Sequence, residues 1–179
     1  WADESTHKVD GASGYLWLVM TPEVVLYEAD RSRGQEVAQR LLEGFTGTLH
    51  SDFYAVYWTM QGITHAVCWG HLCRPARQIV EREPESAEAV SFHDRLSGLY
   101  VRAVAAQQRP ETAARNARAI KGDLKTLATD PTLAQNAGVA KLQRRILRHL
   151  PELVTFITNP ALEGTNNRAE REFRPHAIG

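Results

Sequence analysis

Up to Gly70 the chain alternates short apolar runs with turn residues, and from Leu72 onward those runs stop. No other feature limits the fold as much. Strands written before that break must build whatever sheet the protein has, and the long stretch behind it can only add helices. Tyr15 to Met20 (YLWLVM) is continuously apolar, the composition of a strand buried on both faces. Thr21-Pro22 turns the chain into Val24 to Tyr27 (VVLY), read as its hairpin partner. Val37, Leu41, Leu42 and Phe45 fall at helical spacing, which predicts an amphipathic helix over 35–45, with Ser32 as a candidate cap. Thr48 to Asp52 reads as a short strand that stops at Asp52. Phe53 to Trp58 (FYAVYW) reads as core packing, with some rings free to frame a cleft beside Asp52. Ile63 to Trp69 is a further strand.

Behind the break, Arg74 to Glu83 reads as helical. A second helix starts at Pro84-Glu85-Ser86-Ala87 and runs toward Gln108, with Val90, Leu96, Leu99, Val101 and Val104 as its apolar positions. Thr112 to Ala128 carries Ile120, Leu124 and Leu127 in register. Asp130-Pro131-Thr132 opens a helix whose buried stripe is Val139, Leu142, Ile146 and Leu150, before Pro151 restarts it. Its other face holds Lys141, Arg144, Arg145 and Arg148, which is either a solvated surface or a contact for DNA phosphates.

The first ten residues have two readings. Asp3-Glu4-Ser5 and the polar residues to Asp10 read as a frayed terminus, or else Asp3 ends or follows a further strand cut short where the chain starts. On the second reading the order becomes strand, strand, strand, helix, strand, short helix, strand, helix. That is the order of an RNase H-like domain. The expected fold is therefore α/β: an RNase H-like mixed sheet over 1–72, an all-helical insertion over 73–160, and a final helix over 161–179. The chain opens on Trp1 rather than Met and is expected to be part of a longer protein.

Charge is balanced overall but not along the chain. Residues 1–109 carry 10 basic and 14 acidic side chains, and residues 110–179 carry 11 and 7. An acidic half suits cations and a basic half suits a polyanion, although two ordinary solvated surfaces would look the same. No apolar run is long enough for a membrane span. Two cysteines, Cys68 and Cys73, are too few for a disulfide framework and are expected to stay reduced. With His65 and His71 they form a cluster of zinc-ligand types, but the spacing lacks the longer loop of structural zinc sites. Buried cysteines with a hydrogen-bonded His71 are the better reading.

One block remains, Thr165-Asn166-Asn167-Arg168-Ala169-Glu170-Arg171-Glu172. As a helix start, Asn167 caps the first turn and Glu170 folds back onto the cap. Alternatively Glu170 is a metal ligand, with Arg168, Arg171 and Arg174 in a stripe suited to phosphate oxygens.

These motifs together resemble one family. Asp3-Glu4-Ser5, Ser51-Asp52-Phe53-Tyr54-Ala55-Val56-Tyr57, Cys68-Trp69-Gly70-His71-Leu72, the Asn-Asn-Arg-Ala-Glu-Arg block and Arg174-Pro175 stand in the order found in bacterial insertion-sequence-66 family transposases. The resemblance implies a DDE transposase: an RNase H-like enzyme that cleaves DNA and transfers strands by phosphodiester transesterification. Carried over by position, its triad is Asp3, Asp52 and Glu170. Two divalent cations, Mg²⁺ or Mn²⁺, would be held by those three carboxylates, with Asp52 bridging. Cys68 and His71, with Asn166 and Asn167, would shape the site, and Arg168, Arg171 and Arg174 would steady the scissile strand. Glu4 and Glu172 are taken as solvated neighbours. Cys73 and Pro75 depart from the family pattern and put the start of the helix after His71 in question. Implied partners are transposon ends and target DNA, with a homo-oligomer assembled through regions outside this chain, in the bacterial cytoplasm on the nucleoid. Competing readings are a junction resolvase, an inactive remnant and a zinc-structured DNA-binding module.

Overall fold

The computed structural model describes residues 1–9, 11–165, 169 and 172. They form a mixed α/β protein of two compact units, one of Trp1–His65 with Ala169 and Glu172, the other of Ala66–Thr165.

The first unit is built on a meander of β1 (Ala2–Val9), β2 (Ala12–Met20) and β3 (Val25–Asp30), antiparallel with β2 in the middle. The polar opening segment is thus a strand rather than a frayed end. It pairs with β2 from Ala2↔Val19 to Val9↔Ala12, and the Met20 N–H donates to the Trp1 carbonyl at 2.9 Å. Its charged side chains hide it from a hydropathy reading because β2 supplies the apolar surface for both faces. Trp17 packs with Ala2, Val37, Ala38, Leu42, Leu49 and Tyr57 on one side, while Leu18 and Met20 pack with Ala169 on the other.

Helix α1 (Gln35–Leu41) ends earlier than expected and is not capped by Ser32. Gly34 is the N-cap, and Ser32 Oγ instead accepts from the Gly34 N–H and bonds Glu36. The Leu42 N–H closes the helix, Gly44 then takes φ +71°, and Phe45 is left exposed. After it, β4 (Thr48–Ser51) lies against β1. Its hydrogen-bonded neighbour is β5 (Thr64–Val67).

The second unit is helical: α2 (Gly70–Arg82), α3 (Ala87–Gln107), α4 (Ala113–Thr129), α5 (Ala137–Arg148) and the short α6 (Leu150–Val154). The buried stripe of α3 is Ala89, Phe92, Leu96, Leu99, Ala103 and Ala106, and Val101 is 66% exposed. Apolar valines suggested a stripe that the 3.6-residue period cannot place on one face, while three small alanines share the buried face with Phe92, Leu96 and Leu99. Asp130 does not open a long helix either. A 3-10 turn, Leu133–Gln135, intervenes, and Asn136 caps α5 by accepting the Val139 N–H at 3.1 Å. Pro151 does restart the chain, as the first turn of α6.

Asn136 also donates to Glu83 Oε2 at 2.6 Å, tying the cap of α5 to the end of α2. Asn136→Ala is therefore expected to cost about 1–2 kcal/mol, read as a lower thermal midpoint. Asn136→Asp should recover less than a cap normally does, because it sets a carboxylate against Glu83. A midpoint unchanged in Asn136→Ala would show that this cap contributes nothing.

Candidate active site

Alternation along β1 sends its two neighbouring acids to opposite faces. Asp3 pairs with Leu18, which in turn pairs with Tyr27, so Asp3 shares the face on which Ala169 packs. Glu4 pairs with Trp17 and lies on the α1 side. There its side chain is only 2% exposed, so it is not a solvated neighbour. The Tyr57 hydroxyl donates to Glu4 Oε2 at 2.6 Å, and Arg33 Nη2 donates to Glu4 Oε1 at 2.5 Å. Burial raises the Glu4 carboxyl above its ordinary range, with the hydrogen bonds from Tyr57 and Arg33 opposing. Burial, and then the charge of Glu4, push the Tyr57 phenol up, so it stays a neutral donor.

Asp52 follows β4 directly, at the start of the turn leading into a 3-10 helix, Ala55–Thr59. Its Oδ1 accepts the Tyr54 N–H at 2.8 Å, the bond an aspartate makes when it opens a turn. Its Oδ2 takes no hydrogen bond among the described residues. The Tyr54 hydroxyl donates to the Arg33 carbonyl at 2.6 Å, and the Arg33 guanidinium lies 4.2 Å from the Tyr54 ring centre. Asp3 Oδ1 accepts its neighbour's backbone N–H at 2.9 Å. The charges of Asp3 and Asp52 add, after burial and Glu4, to what disfavours ionisation of the Tyr57 hydroxyl.

The Thr165–Glu172 block is described at two positions beyond Thr165. Ala169 is wholly buried against Leu18 and Met20, and the Tyr27 hydroxyl donates to the Glu172 carbonyl at 3.1 Å. Glu172 Oε2 is a further acceptor for that hydroxyl at 3.4 Å, which corrects its reading as merely solvated. Asn166, Asn167, Arg168, Glu170, Arg171 and Arg174 lie outside the described residues.

In the second unit Cys68 is buried, and His71 sits in the first turn of α2. The helix starts at Gly70 despite Cys73 and Pro75. Pro75 has no N–H for the His71 carbonyl, and Arg145 Nη1 donates to that oxygen at 3.3 Å instead. Arg145 is thus half-buried and occupied, while Lys141, Arg144 and Arg148 are exposed on α5. Burial, and then the neighbouring Cys68, raise the Cys73 thiol to about 11, so it is protonated at neutral pH. Among the described residues no three His, Cys, Asp or Glu side chains gather as a metal site, the His65–Cys73 cluster included.

Sequence reasoning missed the part played by Glu4, Tyr57 and Arg33. The signal was available in the alternation of β1, once its first residues are read as a strand.

Compared with known proteins, the whole of residues 1–179 matches the family model described as "Transposase IS66 family". No curated protein and no solved structure matches the chain.

Proposed function

From the membership of this chain in the IS66 transposase family, we propose that it is the catalytic domain of a DDE transposase, cleaving DNA and transferring strands by phosphodiester exchange. The observation that carries this reading is the setting of Asp3 and Asp52. One lies on β1 and the other directly after β4, two strands in contact, and both bear on the Tyr57 hydroxyl. Asp3 also faces the side where Ala169 packs, one residue before Glu170. The meander β1–β2–β3 with β4 against β1 is consistent with an RNase H-like core over 1–72, completed by a final helix over 161–179. The separate compactness of Ala66–Thr165 supports reading 73–160 as a helical insertion.

The residues fit a hard divalent cation. Glu4 is already paired with Arg33 and hydrogen-bonded by Tyr57, whereas Asp52 Oδ2 takes no hydrogen bond among the described residues, and carboxylate oxygens are the donors Mg²⁺ or Mn²⁺ takes. Asp3, Asp52 and Glu170 would hold two such ions. When bound, they supply charge for the attacking and leaving oxygens of the displacement. The chain's own part is to fix those carboxylates, while Arg168, Arg171 and Arg174 grip the scissile strand's phosphates. Cys68 and His71, with Asn166 and Asn167, shape the surroundings. Transposon ends and target DNA are the partners, a homo-oligomer on DNA the working form, and the bacterial nucleoid its place. No helix among the described residues is long and apolar enough to cross a membrane.

The test is a nicking and strand-transfer assay with the full-length protein and DNA bearing its transposon end. Products should form with Mg²⁺ or Mn²⁺ and vanish with chelator. Activity indifferent to chelation would refute the metal-dependent reading.

The exposed α5 face adds a separate expectation. Lys141→Ala, Arg144→Ala and Arg148→Ala together should weaken DNA binding equally for all sequences. The slope of log affinity against log salt should flatten by about 3 if each residue meets one phosphate. Fluorescence anisotropy over a salt series measures it, and an unchanged slope would remove this face from the DNA interface.

A further inference from the structure

Strands β1 and β4 carry or adjoin the two aspartates and lie in contact. A side-chain clamp joins the segments that bear them. Glu4 of β1 receives the Tyr57 hydroxyl at 2.6 Å, and Tyr57 sits in the 3-10 helix behind Asp52. Arg33, from the loop before α1, donates to the same Glu4 carboxylate. The Tyr54 hydroxyl donates to the Arg33 carbonyl, and the Tyr54 backbone N–H holds Asp52 Oδ1. The path runs unbroken from Asp3's neighbour to Asp52 itself. Tyr54 and Tyr57 also meet edge to face, with ring centres 6.1 Å apart, so neither phenol can swing without disturbing the other.

A buried carboxylate is an expensive way to hold a core together, and an apolar residue at position 4 would pack against Trp17 and Tyr57 without that cost. A short charged clamp is suited instead to fixing geometry.

We infer that Glu4 is a positioning residue: gripped by Tyr57 and Arg33, it sets the separation of the Asp3 and Asp52 carboxylates and hence their grip on divalent cations. The inference rests on the proposed triad and adds to it a residue that touches neither metal nor DNA. Residues that orient metal ligands in this way typically change affinity or activity by about 10–100-fold when removed.

The test uses the full-length protein, with Tyr57→Phe, Glu4→Gln and Asp52→Asn side by side. Tyr57→Phe deletes one hydroxyl and keeps the ring in the core. Titrated with Mn²⁺ and read by electron paramagnetic resonance, it should bind the ion about tenfold more weakly than the parent. The Mg²⁺ concentration that half-saturates nicking should rise by a similar factor, while DNA affinity and thermal midpoint stay near the parent's. Glu4→Gln should shift the same two readouts, and the double variant should add little, since both changes open one clamp. Mn²⁺ affinity within twofold of the parent in both single variants would overturn the positioning role. Asp52→Asn separates the two ideas: if it alone loses activity, the triad stands and the clamp falls, and if it stays active, the triad falls. Should Tyr57→Phe fail to fold, Arg33→Gln, altered on the exposed side of the clamp, decides by the same Mn²⁺ titration.

Discussion

Asp52→Asn is expected to abolish DNA cleavage and strand transfer while leaving the fold intact. Asparagine keeps an Oδ1 that accepts the Tyr54 N–H, so the turn after β4 survives the change. What is lost is the negative charge, and with it a ligand that the proposed ions share. If that ligand contributes about 4 kcal/mol to the transition state, the rate falls about a thousandfold. Glu170→Gln should act alike, and the pair together should cost little more than either alone, because the three acids act as a unit. The measurement is single-turnover cleavage of end-bearing DNA at saturating Mg²⁺, with circular dichroism melts as the control. A variant within tenfold of the parent would take Asp52 out of the chemistry. An equal loss in the melt would mean that the residue is merely structural.

The second large effect belongs to stability. Trp69→Ala should destabilise the helical unit by about 4 kcal/mol. The indole is fully buried, and its N–H donates at 2.7 Å to the carbonyl of Leu153, near the end of α6 where carbonyls lack helical partners. Its ring centre lies 5.5 Å from that of Tyr100, the planes tilted by 39°, and meets Phe156 edge-on at 6.4 Å. Collapse into the cavity is hindered from the far side. A Cβ on Gly164 would already sit 3.0 Å from the Tyr100 ring and 3.1 Å from that of Phe156, so those rings are close against the backbone there. At about 2–4 °C per kcal/mol for a chain of this size, the thermal midpoint should drop by roughly 8–16 °C. Trp69→Phe keeps most of the apolar volume but orphans the Leu153 carbonyl, and should cost about 1–3 kcal/mol. A loss below about 1 kcal/mol in Trp69→Ala would contradict the packing described.

Where the sequence alone shows the fold, the reason is burial of whole runs. Tyr15 to Met20 had to be a central strand because no other element hides both sides of six apolar residues. Asp52 could be set at a strand end because the short run over Thr48–Ser51 stops before an aromatic turn. The gaps have physical causes too. β1 is written in polar residues because one flank is β2 and its own side chains serve a carboxylate clamp, so hydropathy marks it as a tail. Glu4 looked solvated because the partner that buries it, Tyr57, lies 53 positions away. The stripe of α3 was misplaced at Val101 because alanines, weak in hydropathy, do the packing. Asn136 was overlooked as a cap because Asp130-Pro131 is an equally good start signal on local grounds. Of the proposed site, the placing of Asp52 at a strand end was legible through motif and order, whereas the Glu4–Tyr57–Arg33 clamp needed three segments brought together.

The central claim is that three acids from distant parts of the chain hold shared cations. It is tested most directly by crystals of the full-length protein grown with Mn²⁺ and examined at the manganese absorption edge. Anomalous peaks ligated by Asp3, Asp52 and Glu170 are the predicted result. Manganese bound elsewhere, with Asp52 and Glu170 facing away from each other, would contradict it.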